Sequence, residues 1–314
     1  MIRIGLRIDV DTFRGTRDGV PRLLDTLSKH GVSATFFFTV GPDNMGRHMQ
    51  RLFKPSFIAK MLRSRPASLY GWDIVFAGTL WPGRQIGANL APVIRAASDA
   101  GHEIGLHAWD HHRWQTRAGR MSTAALRAEL GRGTDALAGI LGRKPDCSAA
   151  AGWICNERVL QAKQDLGFTY NSDCRGRSVF HPVIDGCRYS PQVPTTMPTY
   201  DEMIGRDGVD NANYNARLLA YARSDALNVL TIHAEVEGIA CADMFDSFLA
   251  SCRQKSVELV PLRALPELTM AIPEDEIAQA PVAGREGDVC WQRSALRESI
   301  GSGHAAAASL SGPL

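Results

Sequence analysis

Ala34-Thr-Phe-Phe-Phe-Thr-Val40 is the stretch that decides the fold class. It has the length of a strand and is apolar without an alternating polar face, so it reads as a strand covered on both sides. Outward from it, short apolar runs alternate with longer periodic segments. Strand candidates are Ile2–Ile8, Ser33–Val40, Glu103–His107, Phe168–Ser172, Asn228–His233 and Val257–Pro261. Helix candidates lie near Gly19–His30, Ala88–Ala100, Thr123–Leu141, Glu157–Leu166, Asn213–Ser224 and Ala242–Lys255. Their apolar residues recur at three- and four-residue spacing, as in Leu126, Leu130, Leu137 and Leu141. This β-then-α order predicts an α/β fold with a parallel sheet, open or closed into a barrel. Functional residues of such folds gather at the carboxyl ends of the strands.

Composition narrows the classes. The chain has 314 residues, 45% apolar and 22% charged, which excludes disorder for its bulk. Lys plus Arg number 35 against 33 acids, so a basic partner site has to be local, and no nucleic-acid motif accompanies it. Charges at Arg3, Arg7 and Asp9 stand where a signal peptide needs an apolar run, and no stretch approaches the roughly 18 apolar residues of a membrane span. The expectation is a soluble or peripheral cytoplasmic protein, with no obligate protein partner evident. The cysteines Cys147, Cys155, Cys174, Cys187, Cys241, Cys252 and Cys290 form no C-x-x-C pair and read as reduced thiols, Cys147 and Cys155 as small buried hydrophobes.

Three pieces carry chemistry. Asp9-Val-Asp11 ends the first strand, and the two-residue period turns both carboxylates the same way. Two like charges that close need a cation or a proton between them, unless they merely cap a loop. Gly105-Leu-His-Ala-Trp-Asp-His-His112 ends another strand, and histidines at i and i+4 on one helical turn can close on a metal ion. His111 is favoured by that spacing and His112 is the alternative. Val229-Leu-Thr-Ile-His233-Ala-Glu235 brings a histidine out of a late apolar strand, either a satisfied core histidine or a third contributor to the same edge. Two histidines and a carboxylate from separate strands make an open catalytic metal site, which accepts Zn, Co, Mn or Ni.

Asp-x-Asp on the first strand, His-x-x-x-His in mid-chain and a late strand histidine resemble the polysaccharide deacetylase (NodB-homology) family. The resemblance implies a distorted parallel (β/α) barrel that hydrolyses acyl groups from amino sugars with a divalent metal ion. It extends in order through Gly5–Arg17, Val40–His48, Gly105–His112, Cys147–Trp153, Tyr170–Gly176 and Thr231–Gly238. Those runs are similar to a branch of the family that removes formyl from a formamido-arabinose carried on a polyprenyl phosphate, for lipid A modification in polymyxin resistance. The alternative is deacetylation of another amino sugar or polysaccharide. A non-catalytic polyprenyl-phosphate protein that kept a relic metal site is disfavoured by the joint presence of Asp9 and His233.

Carried over by position, Asp11, His107 and His111 are implied metal ligands, Asp9 the general base and His233 the general acid. A backbone N–H near Thr12 is expected to stabilise the oxyanion, and Glu235 and Glu237 either to lie near the product amine or to sit on a solvated loop. Where many relatives have an Arg-x-Pro arginine that steadies the aspartate, this chain reads Ser148-Ala-Ala-Ala-Gly-Trp153. The small residues are expected to widen the sugar pocket. Arg7 or Arg175 would replace the missing charge, with Asp173 tuning the His233 side.

The likeness implies a catalytic domain over residues 1–267; from about Thr269 the chain loses periodicity and ends in the low-complexity run Gly301–Leu314, so residues 268–314 read as a disordered extension. Within the domain, the amphipathic insert 44–72 holds Arg47, Arg51, Lys54, Lys60, Arg63 and Arg65 and no acid. Met45, Met49, Leu52 and Phe53 share one helical face, and Phe57, Ile58, Met61 and Leu62 another beyond Pro55. An ordinary helical hairpin packed on the barrel would suit this pattern. An interfacial helix on an anionic membrane suits it better, given a lipid-linked substrate. That places the protein peripherally at the cytoplasmic face of the bacterial inner membrane.

Overall fold

The computed structural model describes residues 1–46, 83–285 and 287–301. The expected membrane- and substrate-binding residues Arg47, Arg51, Lys54, Lys60 and Arg63 lie outside the described residues, as do residues 302–314. In chain order the described strands are β1 (Ile2–Val10), β2 (Thr35–Thr39), β3 (Glu103–Ala108), β4 (Cys147–Ser148), β5 (Tyr170–Asn171), β6 (His181–Ile184), β7 (Cys187–Arg188), β8 (Val229–His233), β9 (Val257–Val260), β10 (Glu274–Asp275), β11 (Ile277–Pro281) and β12 (Asp288–Gln292). The described α-helices are α1 (Val20–His30), α2 (Ile86–Asp99), α3 (His111–Arg117), α4 (Thr123–Leu141), α5 (Glu157–Gln164), α6 (Tyr200–Met203), α7 (Tyr214–Leu219), α8 (Ala242–Gln254) and α9 (Arg293–Gly301). Each helix expected from periodicity is present: α2 starts two residues early at Ile86, α7 stops early at Leu219, and α4 has its expected bounds, set by the Ser122 N-cap and left-handed Gly142.

β1 is the hub. β2, β3, β4 and β5 follow one another on its one side, all parallel. Its other side is shared end to end by β8, along Gly5–Asp9, and β9, along Ile2–Gly5. The strand's two faces explain its sequence. Ile4, Leu6, Ile8 and Val10 are buried in the same cluster as Leu23 and Leu27 of α1, Leu126 and Leu137 of α4 and Phe248 of α8. Gly5, Arg7 and Asp9 turn to the other face. There Phe37, Cys147, Tyr170, Val229, Val260, Leu262 and Leu265 form a separate interior cluster.

The amino end of that interior is plugged. Leu262 and Leu265 close on Gly5, and the buried carboxylate of Glu103 accepts hydrogen bonds from Thr35 Oγ1 (2.5 Å), Tyr170 Oη (2.8 Å) and the Arg263 amide (3.1 Å). A satisfied carboxylate can be kept there; an orphaned one could not. Because inward positions recur every second residue, this plug at one end puts Asp9, His107 and His233 together at the other.

The barrel closes irregularly. β5 and β8 do not pair directly; residues 191–197 run between them. Asn171 donates to the Pro191 carbonyl and Val193 to the Asn171 carbonyl, while Thr196 and Met197 donate to the Val229 carbonyl. This seam is the distortion of the expected barrel.

The expected disorder beyond residue 268 is corrected over residues 274–301. β10 pairs with β6, β11 and β12 form an antiparallel hairpin, and α9 follows. Short strands leave too few residues to register a period. The hairpin is held instead by edge pairing: Arg175 donates to the Cys290 carbonyl and Gln292 to the Arg175 carbonyl, each at 2.8 Å.

A pair of glycines tests the packing. A Cβ on Gly105 would lie 2.5 Å from Phe37 Cε1 and 2.8 Å from Cys147 Sγ, whereas one on Gly139 of α4 would meet nothing within 4 Å. Gly105→Ala is expected to cost about 1–3 kcal/mol in urea unfolding through overpacking. Gly139→Ala is expected to stabilise by up to about 1 kcal/mol through helix propensity.

Candidate active site

Asp9 faces inward at the end of β1, and Arg7, two residues earlier on the same face, grips it with both arms. Nε donates to Oδ1 and Nη2 to Oδ2, each at 2.7 Å. The third nitrogen, Nη1, donates to the Ser172 carbonyl (2.5 Å) and hydroxyl (3.1 Å). The guanidinium also lies 5.3 Å from the ring centroids of both Phe37 and Trp153. Burial would raise the Asp9 pKa, but the charge and hydrogen bonds of Arg7, with His107 and His233, hold it below the ordinary carboxylate value. Of the two arginines expected to partner Asp9, Arg7 does so.

Asp11 Oδ1 stands 3.2 Å from His107 Nε2 and 3.3 Å from His111 Nε2, and the three candidate ligand atoms lie within 4.8 Å of one another. The pair of histidines does not share one helical turn, as the spacing suggested. His107 belongs to β3 and His111 is the first residue of α3, and the turn between them aims both rings at Asp11. That turn is fastened by the Asp110 N-cap, which accepts from the Arg113 amide (2.9 Å) and from Asn44 Nδ2 (2.7 Å). His112, the alternative ligand, is not in the group.

The donor set suits a cation. His107 Nδ1 sits 3.1 Å from the Ala149 carbonyl, which can only accept, so Nδ1 carries the proton and Nε2 presents a lone pair. That lone pair faces a buried carboxylate oxygen with no hydrogen-bond partner among the described residues. Converging lone pairs repel until a cation or a proton separates them, so Asp11, His107 and His111 fit a divalent metal ion.

His233 lies opposite Asp9 in the β1–β8 register. Its ring loses basicity to burial but gains more from Asp11, Asp9, Asp201 and Glu237, so its pKa is raised above the ordinary histidine value.

The structure corrects four expectations of the surroundings. The Thr12 amide is occupied: Glu235 Oε1 accepts from the Asp11 amide (3.2 Å), the Thr12 amide (2.9 Å) and the Thr12 hydroxyl (2.6 Å). Glu235 and Glu237 are therefore turn fasteners, not lining for a product amine; Glu237 Oε2 accepts from the His233 amide at 2.9 Å. Both carboxyls are buried, which pushes each up to about 7. Gly15 is required by this arrangement, since a Cβ there would overlap Glu235 Oε1. Asp173 does not tune His233. Its oxygens take the Lys163 ammonium (2.5 Å), the Ala150 amide (2.8 Å) and Gln192 Nε2 (3.1 Å). Ala149, Ala150 and Ala151 are fully buried in packing, so they do not widen a pocket.

Arg175 pairs with Glu202 at 3.2 Å and stacks 5.2 Å from the Trp153 ring, so it braces the wall and leaves Asp9 to Arg7. Trp153 itself went unread in the sequence. Held at φ 56°, it donates its indole N–H to Thr195 Oγ1 (3.2 Å) and touches the guanidinium groups of Arg7, Arg175 and Arg285. Arg285, which also pairs with Glu202 at 3.0 Å, comes from the hairpin turn in the segment expected to be disordered. Asp43 was likewise missed; it accepts from the Phe13 amide at 2.9 Å and links the first two strand-end loops.

The profile of the polysaccharide deacetylase family matches residues 6–171. A protein of Shewanella sediminis (strain HAW-EB3), named a probable 4-deoxy-4-formamido-L-arabinose-phosphoundecaprenol deformylase ArnD, is 52% identical over 297 residues, 94% of this chain and 96% of that one. A protein of the same name from Wigglesworthia glossinidia brevipalpis is 39% identical over 287 residues, 90% of this chain and all of that one. A solved structure from Mycobacterium smegmatis, assigned to the polysaccharide deacetylases, superposes with a TM-score of 0.62 at 18% identity over 89% of this chain and 94% of that one, and so shares the fold. With a profile spanning more than half its length and relatives spanning nearly all of it, the chain belongs to the polysaccharide deacetylase family.

Proposed function

We propose that this enzyme hydrolyses the formamide of a 4-deoxy-4-formamido-L-arabinose carried on undecaprenyl phosphate, giving formate and the 4-amino sugar lipid used to modify lipid A. The observation that carries the reading is the placement of a carboxylate whose pKa is lowered, Asp9, and a histidine whose pKa is raised, His233, beside Asp11, His107 and His111. The substrate comes from the relative that matches at 52% identity over almost its whole length.

A divalent ion of the Zn, Co, Mn or Ni type, held by Asp11, His107 and His111, would supply a Lewis acid for the formyl oxygen and an acidified water. Asp9, paired with Arg7, is placed to take a proton from the attacking water as the water oxygen bonds to the formyl carbon. His233 donates a proton to the sugar nitrogen as the C–N bond breaks, because an amide nitrogen leaves poorly as an anion. The anchored lipid keeps the sugar at the bilayer surface. The basic insert 44–72 is the segment we assign to meet that surface, at the cytoplasmic face of the inner membrane.

Formate release from the formamido-arabinose lipid, by metal-stripped protein with single cations restored, tests the assignment. Asp9→Asn and His233→Ala are each expected to lower kcat by about 10²–10⁴ while metal content is retained. Acetate from an acetylated amino sugar, with no formate under any cation, would reassign the enzyme to deacetylation.

The pH profile follows from the two shifts. Asp9 acts ionised, so kcat/KM falls as pH drops through its lowered pKa; His233 acts protonated, so it falls as pH rises through its raised pKa. Arg7→Lys replaces a two-point grip by a point charge and is expected to move the acidic limb upward, leaving the basic limb in place.

For the insert, reversing Arg47, Arg51, Lys54 and Arg63 to Glu is expected to abolish binding to anionic liposomes while a short-chain soluble analogue is still hydrolysed. Unchanged liposome binding would remove the insert from its role.

A further inference from the structure

The described residues on either side of 47–82 meet beside the metal-ligand group. On the outgoing side, Asp43 accepts from the Phe13 and Met45 amides (2.9 and 3.1 Å), Asn44 reaches Asp110, and Met45 Sδ sits 3.2 Å from His111 Nδ1. On the returning side, the Asp43 amide donates to the Arg84 carbonyl at 2.9 Å, and Pro42 bridges Gln85. The two ends thus form a stem over the loop that carries Asp11, Thr12 and Phe13.

Two cations adjoin Phe13, Arg84 through its side chain and Arg14 through the sequence. The exposed Arg84 lies with its guanidinium carbon 5.3 Å from the Phe13 ring centroid. Arg14, next to Phe13 in sequence, has Nη1 buried with no hydrogen-bond partner among the described residues. The nearby carboxylate of Asp18 is taken by Arg17. A guanidinium nitrogen removed from water and left unpaired is costly, and a phosphate oxygen satisfies it with a charge-assisted bond.

The chemistry of the substrate sets where such a group is needed. In a 4-formamido pyranose esterified at its anomeric oxygen, the phosphate lies one sugar ring away from the formyl carbon. Arg14 and Arg84 flank a residue only two positions beyond the candidate ligand Asp11. We infer that Arg14 and Arg84 form the subsite for the sugar phosphodiester, next to the stem of the insert. The inference rests on the lipid-phosphate reading of the substrate and extends it to named residues. The same guanidinium groups could meet the phosphates of lipid headgroups, so the test separates the two sources.

Two measurements without membranes, and one with vesicles, decide it. Calorimetry with a short-chain prenyl diester of arabinose 1-phosphate, which lacks the formamide, reads phosphate binding independently of turnover. The Arg14→Ala/Arg84→Ala double variant is expected to bind it at least tenfold more weakly than the parent enzyme. Formate release then compares a short-chain prenyl formamido-arabinose phosphate with the methyl glycoside of the same sugar. The preference for the phosphodiester, as a ratio of kcat/KM values, is expected to fall at least tenfold; Arg14→Lys/Arg84→Lys recovers part of it. A purely structural role would lower both substrates together and leave the ratio unchanged, which overturns the subsite. Unchanged calorimetric affinity with weakened binding to phosphatidylglycerol vesicles also overturns it, by giving the arginines to headgroups. If the double variant loses affinity for the diester but the parent enzyme releases formate from neither substrate, the deformylase reading fails while the phosphate subsite stands.

Discussion

The buried pair of Arg7 and Asp9 is the interaction on which the rest of the site depends. Both residues sit inside the barrel, and each would be untenable there alone. A charge moved out of water costs several kcal/mol, and breaking such a pair by removing one partner typically costs about 3–5 kcal/mol. The barrel supplies what the pair needs: two parallel N–H···O bonds, the Ser172 carbonyl and hydroxyl for the remaining nitrogen, and aromatic faces from Phe37 and Trp153. The small residues at 148–152 coexist with this arrangement, since the charge partner comes from Asp9's own strand.

The same strand shows what can be read from a sequence and what cannot. The period-two placement of Arg7, Asp9 and Asp11 is local geometry, and it carries over directly to the folded site. So does the convergence of strand ends, which brings His107, His111 and His233 to Asp11 and Asp9. The occupant of a particular amide is not local. The Thr12 N–H looked available from its place after Asp11, but Glu235, 223 residues later, fills it. Asp173 likewise stood in a promising run, yet a lysine on α5 claims it. Such pairings depend on how far side chains reach across a finished fold, and no periodicity encodes that.

The C-terminal hairpin makes the point from the opposite direction. Its strands are brief, its turn is polar, and its order comes from docking on the loop around Arg175. Once docked, it brings Arg285 against Trp153, on which Arg7 and Arg175 also pack. The indole is thus shared between the wall of the catalytic pocket and a segment that composition alone would set aside. Glu202 bonds both Arg175 and Arg285, so the wall and the hairpin are joined through one carboxylate as well as one ring.

The position of β1 has a consequence for how the molecule is made. β1 leaves the ribosome well before β8 and β9, which cover its second edge and come from residues 229–260. At roughly 5–20 residues per second, that edge stays without its partners for on the order of ten seconds or more. Throughout that interval a strand carrying Arg3, Arg7 and Asp9 has an open row of amides and carbonyls, the kind of edge to which other chains add. The charges that later do the chemistry sit on that nascent strand, where charged residues discourage unwanted strand pairing before any substrate is at hand.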